Sequence, residues 1–161
     1  MRAVRWIFVL LAFSAWQMKS TQAGENVAAD RLFQNKTGQT DLGEFVGKPV
    51  WELLAACSGF ARAVAGYHAA NDKAEDHKLW TALSLESYST AQYLIGESRS
   101  VEDDAARALL NPLADERHKL TSEALAKLDP ASGTAETFQQ ETLILRGSYS
   151  RMCFAASLET E

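Results

Sequence analysis

The spacing of apolar and polar positions divides the chain into an apolar opening, an irregular polar stretch and four long segments with a helical period. The densest of these runs from Val50 to Ala70, VWELLAACSGFARAVAGYHAA. At about 100° per residue, Val50, Leu53, Leu54, Phe60, Ala61, Val64 and His68 gather within roughly 60° of Cys57, forming one apolar stripe with the cysteine at its middle. Ala55, Gly59, Ala63, Gly66 and Ala70 collect on the other side, and Glu52 and Arg62 are the only formal charges in the run. A helix with so little charge around it is predicted to be covered on more than one side.

The remaining segments follow from their start and stop signals. Gly47-Lys48-Pro49 opens the first helix, with proline where a missing N–H costs nothing. Asp72-Lys73-Ala74-Glu75 has the form of a capping box and predicts a second helix from there to about Ile95, stopped by Gly96. Its buried side is predicted to be Leu79, Trp80, Leu83, Ser87, Tyr88, Ala91, Leu94 and Ile95. Ser100 with Asp103 repeats the capping signal, and Ala106, Leu109, Leu110, Leu113, Leu120, Ala124 and Leu128 give a third helix its stripe. Asn111-Pro112 interrupts that helix and predicts a kink or a break. After the loop Asp129–Gly133, Thr134 begins a fourth helix with Phe138, Thr142, Leu145, Tyr149, Met152, Cys153 and Ala156 on one side. Four such helices on short turns predict an all-α, up-down-up-down four-helix bundle over residues 49–161, preceded by an irregular N-terminal arm over residues 24–48.

Composition places the chain in a compartment. Residues 1–23, MRAVRWIFVLLAFSAWQMKSTQA, combine a basic start at Arg2 and Arg5, an apolar centre and a small-residue end, the pattern of a signal peptide cleaved after Ala23. Its apolar centre is well short of the ~20 residues that a membrane-spanning helix needs, so no stable membrane span is expected after cleavage. Cleavage would remove three of the 16 basic residues and no acid, leaving 13 against 21, a net charge of −8. That balance argues against nucleic acid as a partner and fits a periplasmic or secreted protein. Two cysteines in an exported chain predict one disulfide. Cys57 and Cys153 fall near the same end of antiparallel first and fourth helices, so a bond between them is geometrically natural. It would be worth on the order of 4 to 5 kcal/mol by chain entropy.

Few residues carry a chemical signature. Asp115-x-x-His118 is the sole approach to a di-iron motif and points away from its helix's apolar stripe, and no C-x-x-C-H haem site is present. His68 and Met152 lie at opposite ends of their packed helices and cannot share an iron. His68, Asp72, Asp76 and His77 surround the first turn as weak candidate metal ligands, with a solvated acidic turn as the simpler reading. Arg117 falls on an apolar stripe and calls for a carboxylate, with Glu86 and Glu141 as candidates. No catalytic residues and no cofactor are assigned.

The small-residue face of the first helix remains. Gly59 and Gly66 each cost a soluble helix up to about 1 kcal/mol relative to alanine, which points to a packing reason. Either the arm covers this face with Leu42, Phe45 and Val46, or Trp51, Ala55, Gly59, Ala63, Gly66 and Ala70 form a docking face for a partner protein or a second copy. The expected function is therefore a non-catalytic exported helical interaction module, an accessory, adaptor or inhibitor-like protein of the cell envelope. The alternative is a small-ligand or metal carrier using the bundle end near His68, Tyr67, Asp72 and Trp80.

Overall fold

A computed structural model describes residues 30–35, 40–128, 134–148 and 151–153. The signal-like residues 1–23, the start of the arm and the 129–133 loop lie outside them. So do Tyr149 and Ala156 and the side chains of Leu42, Phe138 and Thr142.

Within the described residues the chain is all-α, with no strand beyond an isolated bridge between Leu32 and Pro49. The elements are α1 (Val50–Ala70), α2 (Ala74–Arg99), α3 (Asp103–Leu125) and α4 (Ala135–Thr142), with a 3₁₀ turn over Thr40–Phe45 and a π-helical segment over Leu143–Ser148. α1 is the hub. Fifteen of its 21 residues are buried, and it packs against both α2 and α3, which touch each other far less. The near absence of charge from Val50 to Ala70 is explained by this position: a helix with neighbours on two sides has little room for side chains that demand water.

The α1–α2 seam is narrow and polar in places. Ser84, Ser87, Ala91, Ile95 and Ser98 form the buried side of α2. The Ser84 hydroxyl donates to the Ser58 carbonyl at 2.9 Å, and the Ser87 hydroxyl stands 3.4 Å from the Cys57 sulfur. His77 Nδ1 lies 3.0 Å from the Ala65 carbonyl oxygen. As the partner's number rises on one helix it falls on the other, so α2 runs antiparallel to α1. Small hydroxyl-bearing residues let the helices approach while satisfying one another's polar atoms. Ser87, Ala91 and Ile95 of the predicted stripe are buried and Trp80, Tyr88 and Leu94 pack partly buried against the core, whereas Leu79 is 56% exposed and Leu83 only partly covered.

Several boundary signals resolve differently from their sequence reading. No side-chain cap closes the start of α2, and Asp72 instead adopts a left-handed conformation in the turn. Gly96 does not end α2. The helix continues to Arg99 and is closed by Ser100, whose left-handed backbone donates its N–H to the Gly96 carbonyl. Ser100 thus caps the end of α2 rather than the start of α3. α3 runs unbroken through Pro112. At α4 the Thr134 hydroxyl does accept the Thr137 N–H, at 3.2 Å, as an N-cap.

Cys57 and Cys153 are joined by a disulfide, with Cα atoms 5.6 Å apart. Cys57 is fully buried at the centre of α1, so the bond ties the end of the described chain to the middle of the core. The arm is tied down at the other end. Phe33 is 1% exposed, its N–H donates to the Lys48 carbonyl and its carbonyl accepts from Gly47. Asp30 accepts from Trp51 Nε1, the Ser98 hydroxyl and Arg99 at 3.2, 2.6 and 2.8 Å.

Candidate functional site: a cleft at the His68 end of the central helix

The face offered by sequence as a docking surface is largely interior. Trp51, Ala55, Gly59 and Ala63 are all buried. A methyl group on Gly59 would stand 2.8 Å from the carbonyl carbon of Ala114 and 3.0 Å from its Cα, closer still to the oxygen. Gly59 is therefore the point where the backbone of α3 reaches α1. Neither the arm nor a partner occupies that place. Phe45 of the arm is buried, but Val46 is 52% exposed, and the arm's principal anchor is Phe33. Only Gly66 and Ala70 of the proposed face reach the surface, and a methyl on Gly66 would touch nothing. Packing by α3 replaces the docking interpretation because glycine and alanine at these positions remove the side chains that would hold the two backbones apart.

The four candidate metal ligands are not brought together. Among the described residues no three His, Cys, Asp or Glu side chains converge as a metal-holding group. His77 turns back to the Ala65 carbonyl, and Asp72 sits in the left-handed turn, leaving only His68 and Asp76 as neighbours, Nδ1 to Oδ2 at 3.9 Å. Arg117 finds its carboxylate in neither Glu86 nor Glu141. It pairs with Glu44 of the arm at 2.9 Å and lies over the Phe45 ring. Asp115 is taken by an exposed ion pair with Arg62.

What the His68 end does possess is a cleft of about 310 Å³, lined by His68, Lys73, Asp76, Leu79, Trp80, Glu141, Leu145 and Arg146. Three regions of the chain build it. α1 supplies the imidazole from its last turn; the α1–α2 turn and the first turns of α2 supply Lys73, Asp76, Leu79 and Trp80; α4 and the π-helical segment supply Glu141, Leu145 and Arg146. A π-helical turn re-aims side chains relative to an α-helix, and such turns are frequent at functional sites. Two smaller clefts, of about 200 and 140 Å³, flank Trp51 and Phe45 and belong to the docked arm.

The electrostatics of the cleft centre on His68. Its side chain is 6% exposed and its Nδ1 has no hydrogen-bond partner among the described residues. Burial pushes its pKa below the ordinary value, against the opposing pull of Asp76, so the imidazole is neutral at pH 7. Around it Lys73 approaches Glu141 at 3.5 Å, and the Trp80 indole packs edge-on against Phe60 inside. Tyr67, beside the imidazole, has its pKa raised by burial and then by the charge of Glu141. Sequence reasoning located His68, Asp76 and Trp80 at this end but missed Glu141, Leu145 and Arg146. The π-helical segment that brings the last two into the cleft has no simple sequence signal.

No protein-family model matches the chain, and no curated protein or solved structure matches it either.

Proposed function

We propose that this chain is an exported, non-enzymatic binding protein that holds a small ligand in the cleft at the His68 end. The observation that carries the reading is a buried imidazole whose Nδ1 lacks a described partner, lining a cleft of about 310 Å³ with two leucines, an indole and four charged groups. A buried unpaired polar atom costs about 1–3 kcal/mol, and a ligand that pairs with it recovers that cost. Ligand sites are concave and combine apolar surface with convergent polar groups, and this cleft does so at the small end of the usual volume range, with a more polar lining than most.

The broader reading, a module that docks a partner protein, loses its strongest ground with the burial of Gly59 by α3. The ligand reading takes its place. Export is supported by the signal-like residues 1–23 and by the Cys57–Cys153 bond, which fits an oxidising, periplasmic or extracellular location. No helix among the described residues is long and apolar enough to cross a membrane. In the same reading the helices form an up-down-up-down bundle whose third member bends at Pro112, with the cleft at one open end.

Native mass spectrometry of the exported protein tests this. The expected chain begins at Gly24, lacks two hydrogens before reduction and carries a non-covalent small-molecule adduct that His68→Phe removes. A chain that retains residues 1–23, or one that never carries an adduct, would refute the proposal.

A further inference from the structure

The lining of the cleft specifies more than size. Lys73 and Arg146 supply two positive charges, Asp76 and Glu141 two negative ones, and His68 is neutral, so the cleft has no net charge but contains both poles. Such a lining rewards a ligand of the same character. A lone anion or a lone cation would leave one pole unmatched.

Lys73 and Glu141 are paired with each other at 3.5 Å, so the two poles left for a ligand are Asp76 on α2 and Arg146 on the π-helical segment. At one, His68 Nδ1 and Asp76 Oδ2 stand 3.9 Å apart. Nδ1 has no hydrogen-bond partner among the described residues, and in the tautomer protonated at Nε2 it accepts, so this nitrogen and the Asp76 carboxylate are spaced to share one cationic donor. At the other pole Arg146, on the π-helical segment, has no ion-pair partner among the described residues and offers a fork suited to a carboxylate, with Lys73 a second cation in the lining. Leu79, Trp80 and Leu145 provide apolar surface for a side chain.

Resting on the ligand-binding reading of this cleft, we propose that its ligand is a small zwitterion, an α-amino acid with an apolar side chain. Its ammonium lies between His68 Nδ1 and Asp76, its carboxylate on Arg146 beside the Lys73–Glu141 pair, and its side chain against Trp80, Leu79 and Leu145. Binding leaves every protein group in its existing charge state and needs no covalent step.

The test is calorimetric titration of the full-length exported protein with leucine and phenylalanine, beside isovalerate, which keeps the carboxylate and loses the amine, and isoamylamine, which does the reverse. An amino acid is expected to bind at least tenfold more tightly than either fragment. His68→Phe and the surface-tolerant Asp76→Asn are each expected to weaken the amino acid at least tenfold while leaving isovalerate within twofold. If either fragment binds as tightly as the amino acids, or if both variants bind leucine normally, the zwitterion assignment is overturned while the cleft stands as a binding site. If none of the four compounds binds and none shifts the His68 imidazole resonances, the assignment falls, and a native protein that also carries no adduct takes the ligand-binding reading down with it.

Discussion

Two glycines of one helix separate what composition alone treats alike. Gly59 faces the Ala114 backbone, whereas Gly66 faces open space. Adding a methyl at Gly66 is expected to stabilise the fold by about 0.5–1 kcal/mol, because alanine loses less backbone entropy in a helix. The same change at Gly59 forces α3 away from α1 and is expected to cost about 1–3 kcal/mol despite the identical gain in propensity. Urea unfolding midpoints of Gly59→Ala and Gly66→Ala check the opposite signs. His68 adds a pH signature at this scale. Unfolded, it titrates near 6.5, and folded it titrates lower. As pH falls below about 6.5 the unfolded chain gains a proton that the folded chain resists, so stability declines until the folded imidazole also protonates. His118 shifts in the same direction, through burial first and then the Arg62 charge. Melting temperatures between pH 7.5 and 5.5 are therefore expected to fall less steeply in His68→Phe and in His118→Gln than in the parent. Sequence identified the small-residue face and the core position of His68. It could not say which element filled the face, because glycine records that something approaches and not what.

At the scale of elements, the apolar period located all four helices, while their ends and rotations were harder to read. α2 buries serines at its closest approach to α1, which is rich in alanine there, and its larger Trp80, Tyr88 and Leu94 pack at the margins of that seam. Ser100 carried a start signal by pattern and serves as a stop, since the same polar residue types tolerate a left-handed backbone at a helix end. The disulfide was legible from helix geometry. Cys57 and Cys153 are 96 positions apart, so reduction or Cys153→Ala is expected to lower stability by about 2–5 kcal/mol. The urea midpoint measured with and without reductant checks it, and an unchanged midpoint would show that the core holds without the bond.

For the molecule as a whole, the arm was the least readable part, having no period to follow. Its attachment depends on Asp30. Burial raises that carboxyl's pKa, but the bonds from Arg99, Ser98 and Trp51 together with the Arg99 charge outweigh it and bring the group below its ordinary value. Asp30→Ala leaves the buried Trp51 indole N–H without this acceptor and is expected to cost about 1–3 kcal/mol. It should also hasten tryptic cleavage after Arg31, which limited proteolysis would detect. No pattern marked Asp30, because its partners lie 21 to 69 positions away in the chain.

The placement of α1 gives the molecule an internal clock. α2 and α3 each rest on α1 along one stripe and can lift separately, but α1 meets water along its length only when both have left and Cys153 no longer holds the chain against its middle. In deuterium exchange, the amides around Cys57 should therefore exchange last, at a rate set by opening of the entire molecule, while the outward faces of its neighbours exchange through local excursions. A ligand bound at the His68 end would slow that last class of amides along with its own contacts, so occupancy of the cleft could be read from the centre of the protein.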